Sequence, residues 1–174
     1  NKKSIVNQRE VGVDTKSYAR ALKSAMREAP DVILVGEVRD RETMQTTIDL
    51  AGTGHLAVAT LHSNNAPETL DRIINLFPEE QHPQVYMDLS QYLRAIISQR
   101  LVRGIDGQRV AAVEVMLNTP RIAELIQRGD VSKVKESFRE STEQGMQTFD
   151  QSLLKLYKDG KVSMEEALAN ADSR

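Results

Sequence analysis

The stretch from Asp31 to Asp40 constrains the fold of this chain more than any other. Four consecutive aliphatic residues lie between Asp31 and Gly36. An uninterrupted apolar run that is bounded by chain breakers is typical of a strand buried on both faces in a parallel sheet. Glu37 follows this run directly, and the carboxyl ends of such strands line the ligand crevice of open α/β sheets. Glu37 is therefore either a solvated loop acid or part of a binding site.

A second apolar run, His55–His62, follows about 20 residues later. Asp40 is a suitable N-cap for the segment between the two runs, and Met44 and Ile48 recur at helical spacing. Strand, helix and strand together have the length of a βαβ unit, which makes the two strands parallel. Glu37 and His62 are then expected at the same edge of the sheet. An acid and an imidazole there can orient a metal-bound water and sense a phosphate.

The other two histidines do not join this site. His55 lies at the opposite end of the second run from His62, roughly 20 Å away at about 3.3 Å per residue, and on the other face. A straight strand therefore cannot bring both histidines to one zinc ion. His82 stands beside Pro83 in a predicted turn and is expected at the surface.

The remaining pattern predicts further strands and helices. An edge strand is expected at Ile5-Val6, and a helix capped by Asp14 or Thr15 is expected to run through Arg27. A long helix is predicted from Pro83 to Leu101, and a strand over Arg109–Met116 is expected to pair with Leu101–Ile105. From Asn118 onward only short helices are predicted. The first ends at Gly129, the second spans Val131–Ser141 and the third spans Thr148–Asp159. The last begins with a capping box at Ser163–Glu166.

Composition excludes several classes of function. The chain has 174 residues, no cysteine and a net charge of -2, so it offers no disulfide framework, no thiolate metal site and no general electrostatic reason to bind nucleic acid. No apolar run approaches the roughly 18 residues of a membrane span. The chain begins at Asn1 without an initiator methionine and is expected to be a piece of a longer, cytosolic protein.

Several segments together resemble one family of motor proteins. Val32–Asp40 is similar to the Walker B segment of secretion ATPases, and Thr53–Asn64 is similar to their His box. The chain as a whole resembles the type IV pilus retraction ATPases, the PilT/PilU family, and its tail Thr148–Arg174 is closer to the PilU branch. The other matching segments are Asp71–Pro78, Ser98–Val102, Arg109–Met116, Asn118–Pro120 and Gly145–Asp150.

The resemblance implies an α/β fold with two parts. Residues 1–117 are expected to be the C-terminal portion of a RecA-like P-loop NTPase core, and residues 118–174 an all-helical C-terminal region. The whole protein is expected to bind ATP and Mg²⁺ and to couple ATP hydrolysis to pilus retraction. Its expected assembly is a homo-hexamer, or a mixed ring with a paralogue, in the cytoplasm at the inner-membrane base of the pilus machine. A platform protein is the expected partner there, with no nucleic acid and no insertion into the membrane.

The resemblance also implies roles for individual residues. Glu37 corresponds to the Walker B acid that helps to order magnesium, through a water molecule. His62 corresponds to the His-box residue nearest the terminal phosphate. The candidates for nucleotide or inter-subunit contacts are His55, Arg27, Arg39 and Arg9.

The phosphate-binding loop of the family does not occur in this stretch. No G-x-x-x-x-G-K followed by Ser or Thr is present, so the chain has no P-loop with which to cradle phosphates. The family's P-loop, Asp box and PAS-like domain are expected upstream of Asn1. The 174-residue chain alone is therefore predicted to be inactive as an ATPase.

Two alternatives remain open at the level of sequence. An assembly or secretion ATPase of the same superfamily typically carries a four-cysteine zinc insertion near Ser98–Val102. The chain has no cysteine, and Arg100–Arg109 is too short for that insertion. The second alternative is a non-catalytic ring subunit, which would use the same fold for assembly and for gripping partners.

Overall fold

The computed structural model describes residues 3–140 and 145–172, and the chain forms two compact units, Asn1–Leu61 and His62–Arg174. In the first unit, helix α1 spans Tyr18–Ala25 and a 3₁₀ turn spans Met26–Glu28. Strand β1 (Val32–Val35), helix α2 (Arg41–Gly52) and strand β2 (Leu56–Ala59) follow.

The predicted βαβ unit is confirmed. Strands β1 and β2 pair in parallel, in a register that runs from Val32 opposite Leu56 to Val35 opposite Ala59. Helix α2 connects the two strands, and the Asp40 carboxylate accepts a hydrogen bond of 2.8 Å from the N–H of Thr43. This bond satisfies one of the free donors of the first helical turn, which is why the helix begins at this point.

The central strand is not buried on both faces. Ile33 and Val35 are buried, whereas Val32 is 55% and Leu34 is 69% exposed. Successive side chains of a strand point to opposite faces, so the described chain covers only one face of this sheet. The apolar run in the sequence predicted burial on both faces, and that prediction is wrong for the described chain, which leaves one apolar face of the strand exposed.

Other boundaries in the first unit also differ from the prediction. Strand β2 is shorter than His55–His62, because the two histidines lie beyond its ends. No strand forms at Ile5-Val6; the described residues nearby contribute only an isolated bridge between Val11 and Thr15. Helix α1 begins later than predicted, because its N-cap is Ser17, whose hydroxyl accepts from the N–H of Arg20.

The second unit consists of a β-hairpin with helices before and after it. Helix α3 (Ala66–Ile74) is capped by Asn65, and it is followed by a 3₁₀ turn at Glu79–Gln81 and by helix α4 (His82–Tyr92). The hairpin consists of β3 (Ala95–Arg103) and β4 (Arg109–Leu117). The later helices are α5 (Pro120–Gln127), α6 (Val131–Glu140), α7 (Phe149–Lys158) and α8 (Met164–Ala169).

The predicted long helix from Pro83 to Leu101 is wrong. The helix ends at Tyr92, and the chain then forms the nine-residue strand β3, which pairs antiparallel with β4 from Ala95–Leu117 to Arg103–Arg109. Alternate residues of β3, Ile96, Ser98 and Val102 among them, are buried. This period-two burial, together with a full set of ladder hydrogen bonds to β4, outweighs the helical spacing of the same apolar residues.

Short helices follow β4, as predicted. The hairpin packs against α7 and α8 around a core of Val102, Ala112, Phe149, Leu153, Val162 and Ala167. Helix α7 has a capping box between Thr148 and Gln151 that the sequence analysis did not identify. At α8 the Ser163 hydroxyl caps the helix, but the Glu166 carboxylate accepts from the N–H of Arg103 instead of completing the predicted box. Ser141, the predicted end of α6, lies outside the described residues.

Candidate functional site

The carboxyl ends of β1 and β2 are adjacent because the strands are parallel neighbours. Glu37 lies two residues beyond the end of β1, and His62 lies three residues beyond the end of β2. Each therefore follows a strand end on the side of the sheet where open α/β folds bind ligands. Glu37 is half-buried and His62 is exposed.

Thr60 fixes the backbone around Glu37. Its hydroxyl donates a hydrogen bond to the carbonyl of Gly36, and its own carbonyl accepts one of 3.0 Å from the N–H of Val38. Glu37 is therefore held between two residues that are both bonded to Thr60. Val38 is 4% exposed, which anchors the segment further. No local sequence pattern marks Thr60, because its role depends on a partner 24 residues away.

The acid at this edge has an adjacent cation. A guanidinium nitrogen of Arg39 lies 2.5 Å from a carboxylate oxygen of Glu37, and the hydrogen bond between them raises the pKa of Arg39. The arginine side chain is 77% exposed and that of Glu37 is 24% exposed. An ion pair so open to water is weak, so Arg39 can exchange Glu37 for another anion at little cost.

The histidines separate as the sequence predicted. His55 precedes β2, its ring nitrogen Nδ1 lies 3.1 Å from the Thr53 hydroxyl, and it stands at the opposite end of the strand from His62. Among the residues that the structure describes, no group of three His, Asp or Glu side chains is placed to hold a metal ion. His82 is not the surface residue that was predicted: it is half-buried, and its Nε2 lies 2.9 Å from the Phe77 carbonyl oxygen.

The three candidate arginines have different surroundings. Arg39 pairs with Glu37, whereas Arg9 forms an ion pair with Glu28 and thereby lowers the pKa of Glu28. Arg27 lies in the 3₁₀ turn after α1, where it continues a basic face of that helix. This face borders an open groove of about 520 Å³ that is lined by Asp14, Thr15, Lys16, Arg20, Lys23, Ser24 and Arg27.

The second unit holds a buried carboxylate that the sequence analysis did not identify as a site residue. Glu114, on β4, is 3% exposed, and its Oε1 accepts a 2.7 Å hydrogen bond from the N–H of Ala66, the first residue of α3. Burial raises the pKa of Glu114, and the hydrogen bond from the N–H of Ala66 opposes that shift. A glutamate in the middle of an apolar strand was the signal that could have marked it.

Comparison with known proteins decides the family. The family model described as type II/IV secretion system protein matches residues 3–169 of the chain. The chain belongs to this family. A relative within it is the type IV pilus ATPase PilU of Pseudomonas aeruginosa, which is 56% identical over 170 residues, covering 97% of the chain and 44% of that protein.

Two solved structures from ATPases of this kind show the same fold. The crystal structure of the pilus retraction motor PilT with bound ADP is 46% identical and superimposes with a TM-score of 0.86, over 97% of the chain and 48% of that structure. The Legionella pneumophila ATPase DotB is 28% identical with a TM-score of 0.84, over 96% of the chain and 46% of that structure. The predicted α/β fold of secretion ATPases is confirmed.

The chain spans about half the length of the curated relatives that it matches. Across the part of the chain that the structure describes, every helix is too short or too polar to cross a bilayer.

The residues at the carboxyl edge fit magnesium chemistry. Magnesium prefers hard oxygen ligands, keeps several waters, and is usually bound through one or two carboxylates plus substrate phosphates. Glu37 offers one such carboxylate, half-buried and held by a fixed backbone.

Proposed function

We propose that the full-length protein is a type IV pilus retraction ATPase and that this chain supplies Glu37 and His62 to its reaction. The observation that carries the proposal is the parallel β1–β2 pair with Glu37 and His62 beyond its carboxyl ends. The 56% identity to PilU supports the choice of reaction, because PilU is named as a type IV pilus ATPase.

Each residue has a distinct task in this proposal. Glu37 would hold magnesium through a water molecule, and its fixed backbone keeps the carboxylate in one place. Bound magnesium supplies positive charge that compensates the phosphate oxygens of ATP. His62, exposed at the start of the loop before α3, would contact the terminal phosphate.

The assembly in this proposal is a ring. Six copies, or copies mixed with a paralogue, would place Arg27 and Arg39 where arginines can stabilise phosphate charge from a neighbouring subunit. Both side chains are exposed, and the basic groove beside Arg27 has the charge that an anionic ligand requires. Arg9 and His55 would act through subunit contacts. The ring would sit in the cytoplasm against the platform protein at the inner-membrane base of the pilus.

The experiment that tests the proposal is ATP turnover by the purified full-length protein, measured alone and mixed with its paralogue. We expect magnesium-dependent hydrolysis by the protein alone, and pilus retraction in cells that depends on that activity. Addition of the paralogue would then change the rate without being required for it. Background turnover by the protein alone, from rings that assemble normally, would instead identify a non-catalytic ring subunit.

A further inference from the structure

The loop that begins at His62 and leads into α3 is tied to its own helix. The Asn64 side chain donates to the Glu68 carboxylate at 2.8 Å, and the hydroxyl oxygens of Ser63 and Thr69 lie 2.6 Å apart. These bonds fix the loop relative to the first turns of α3. They do not fix it relative to the β3–β4 hairpin.

Two side chains of the hairpin supply that second attachment. Arg100, on β3, donates from Nη2 to the backbone carbonyl of Asn64 at 3.3 Å. Glu114, on β4, accepts from the backbone N–H of Ala66 at 2.7 Å. The main chain on both sides of Asn65 is therefore bonded to the hairpin.

Arg100 is the more extensively connected of the two. Its Nη1 donates to the carbonyl of Asn170 at 3.0 Å and to the Asp172 carboxylate at 2.7 Å, and its guanidinium lies 3.9 Å from the centre of the Phe149 ring. Its side chain is only 23% exposed. A planar guanidinium that is stacked on an aromatic ring and anchored by a carboxylate has little freedom, so the N–H that its Nη2 donates to Asn64 is held in one direction.

We propose that Arg100 is a positioning residue for His62, and this proposal rests on the role of His62 proposed above. The guanidinium holds the carbonyl of Asn64, two residues after His62, and so sets the path of the backbone that carries the imidazole. The same guanidinium links this loop to the C-terminal segment 170–172. Lysine cannot reproduce this set of bonds, because its single ammonium lacks the rigid fork.

The test is a double-mutant cycle in the full-length protein with Arg100→Gln, His62→Ala and both together. Arg100→Gln alone is expected to lower kcat about tenfold, with KM for ATP within about twofold, because a small misplacement of a reacting group affects the chemical step most. In the His62→Ala background, the same change is expected to lower kcat less than about twofold, because the group that it positions has gone.

Matched controls separate positioning from general damage. Arg103→Gln removes an exposed arginine on the other face of the same strand and is expected to leave kcat unchanged. Ring assembly and the midpoint of thermal unfolding are measured for every variant. If Arg100→Gln fails to assemble, Arg100→Lys, which keeps the charge and the aliphatic stem, takes its place in the cycle with the same expected result.

The outcomes distinguish the two proposals. If His62→Ala lowers kcat and Arg100→Gln lowers it by the same factor in the His62→Ala background as in wild type, Arg100 acts independently of His62. That result overturns the positioning role. Wild-type kcat in Arg100→Gln overturns it as well. If His62→Ala itself leaves kcat unchanged, the proposed role of His62 fails, and the role of Arg100 fails with it.

Discussion

The hydroxyl of Thr60 donates a hydrogen bond to the carbonyl of Gly36, the residue that immediately precedes Glu37. The bond joins the segment that leaves β2 to the segment that leaves β1, beyond the last paired residues of both strands. A second bond of 3.0 Å, from the N–H of Val38 to the carbonyl of Thr60, closes the same connection. Two strand ends that would otherwise separate in solvent are kept together, and Glu37 lies between the two points of attachment.

Thr60→Val is predicted to lower ATP turnover of the full-length protein without unfolding it. The change keeps the shape of the side chain and removes one hydrogen bond, whose net worth is about 0.5–1.5 kcal/mol. If that bond positions Glu37, kcat falls about three- to tenfold, while the main-chain bond to Val38 preserves the fold. Thr60→Ser retains the hydroxyl and is the control: it is expected to keep kcat within about twofold of wild type. Wild-type kcat in Thr60→Val would show that the hydroxyl does not position Glu37.

Glu114→Gln is predicted to change how the stability of the nucleotide-free protein depends on pH. Burial raises the pKa of Glu114 above its ordinary value of 4.5, so folding favours the protonated acid. The stabilisation from that protonated form is complete below the ordinary pKa and is lost as pH rises through the raised value. Relative to Glu114→Gln, wild type should therefore become less stable as pH rises through this window. The groups that also bear on this carboxyl are Asp172, which raises its pKa, and Arg100, which lowers it.

Denaturant unfolding across that pH range measures the effect. Glu165→Gln, a change at an exposed glutamate of α8, is the control and should show no comparable difference from wild type. A wild-type protein that gains stability over Glu114→Gln with rising pH would show that Glu114 is stabilised as the carboxylate, contrary to the burial argument.

Gly104→Ala is predicted to destabilise the hairpin. A Cβ at Gly104 would lie 2.7 Å from the Asp106 Oδ1, 2.9 Å from the Val110 Cγ2 and 3.1 Å from the Gln108 carbonyl oxygen. The side chains can move, but the carbonyl accepts the N–H of Gly104 itself at 2.8 Å and closes the turn. Overpacking of this kind costs about 1–3 kcal/mol. Thermal unfolding should show a lower midpoint for this variant, and Gly36→Ala, where a Cβ meets no atom within 4 Å, should unfold near wild type.

The local pattern of the sequence predicted the βαβ unit well and the hairpin poorly. Around Asp40, the N-cap, the helical spacing of the apolar residues and the neighbouring apolar runs all indicate a βαβ unit. Each of these signals comes from residues close together in the chain. Between Leu93 and Leu101 the same apolar residues satisfy a helical and an alternating pattern. The choice between them is made by β4, whose nine residues pair with β3 and are not visible in the local spacing.

The same limit applies to the candidate site. Glu37 and His62 could be selected from the sequence because each follows an apolar run. Thr60, Arg100 and Glu114 could not, because their contacts join residues 24, 36 and 48 positions apart. A side chain that acts on distant main-chain atoms leaves no spacing signal in the sequence, and only the folded structure brings its partner into view.

The central claim is that Glu37 and His62 act in ATP hydrolysis by the whole protein. It is tested most directly by steady-state ATP turnover of full-length Glu37→Gln, His62→Ala and His55→Ala, each shown to assemble like wild type. We predict that Glu37→Gln and His62→Ala each lower kcat by at least about tenfold, equivalent to about 1.4 kcal/mol of barrier. His55→Ala should retain kcat within about threefold, because it lies at the far end of β2. Wild-type turnover by Glu37→Gln would contradict the account and return Glu37 to the role of a solvated loop acid.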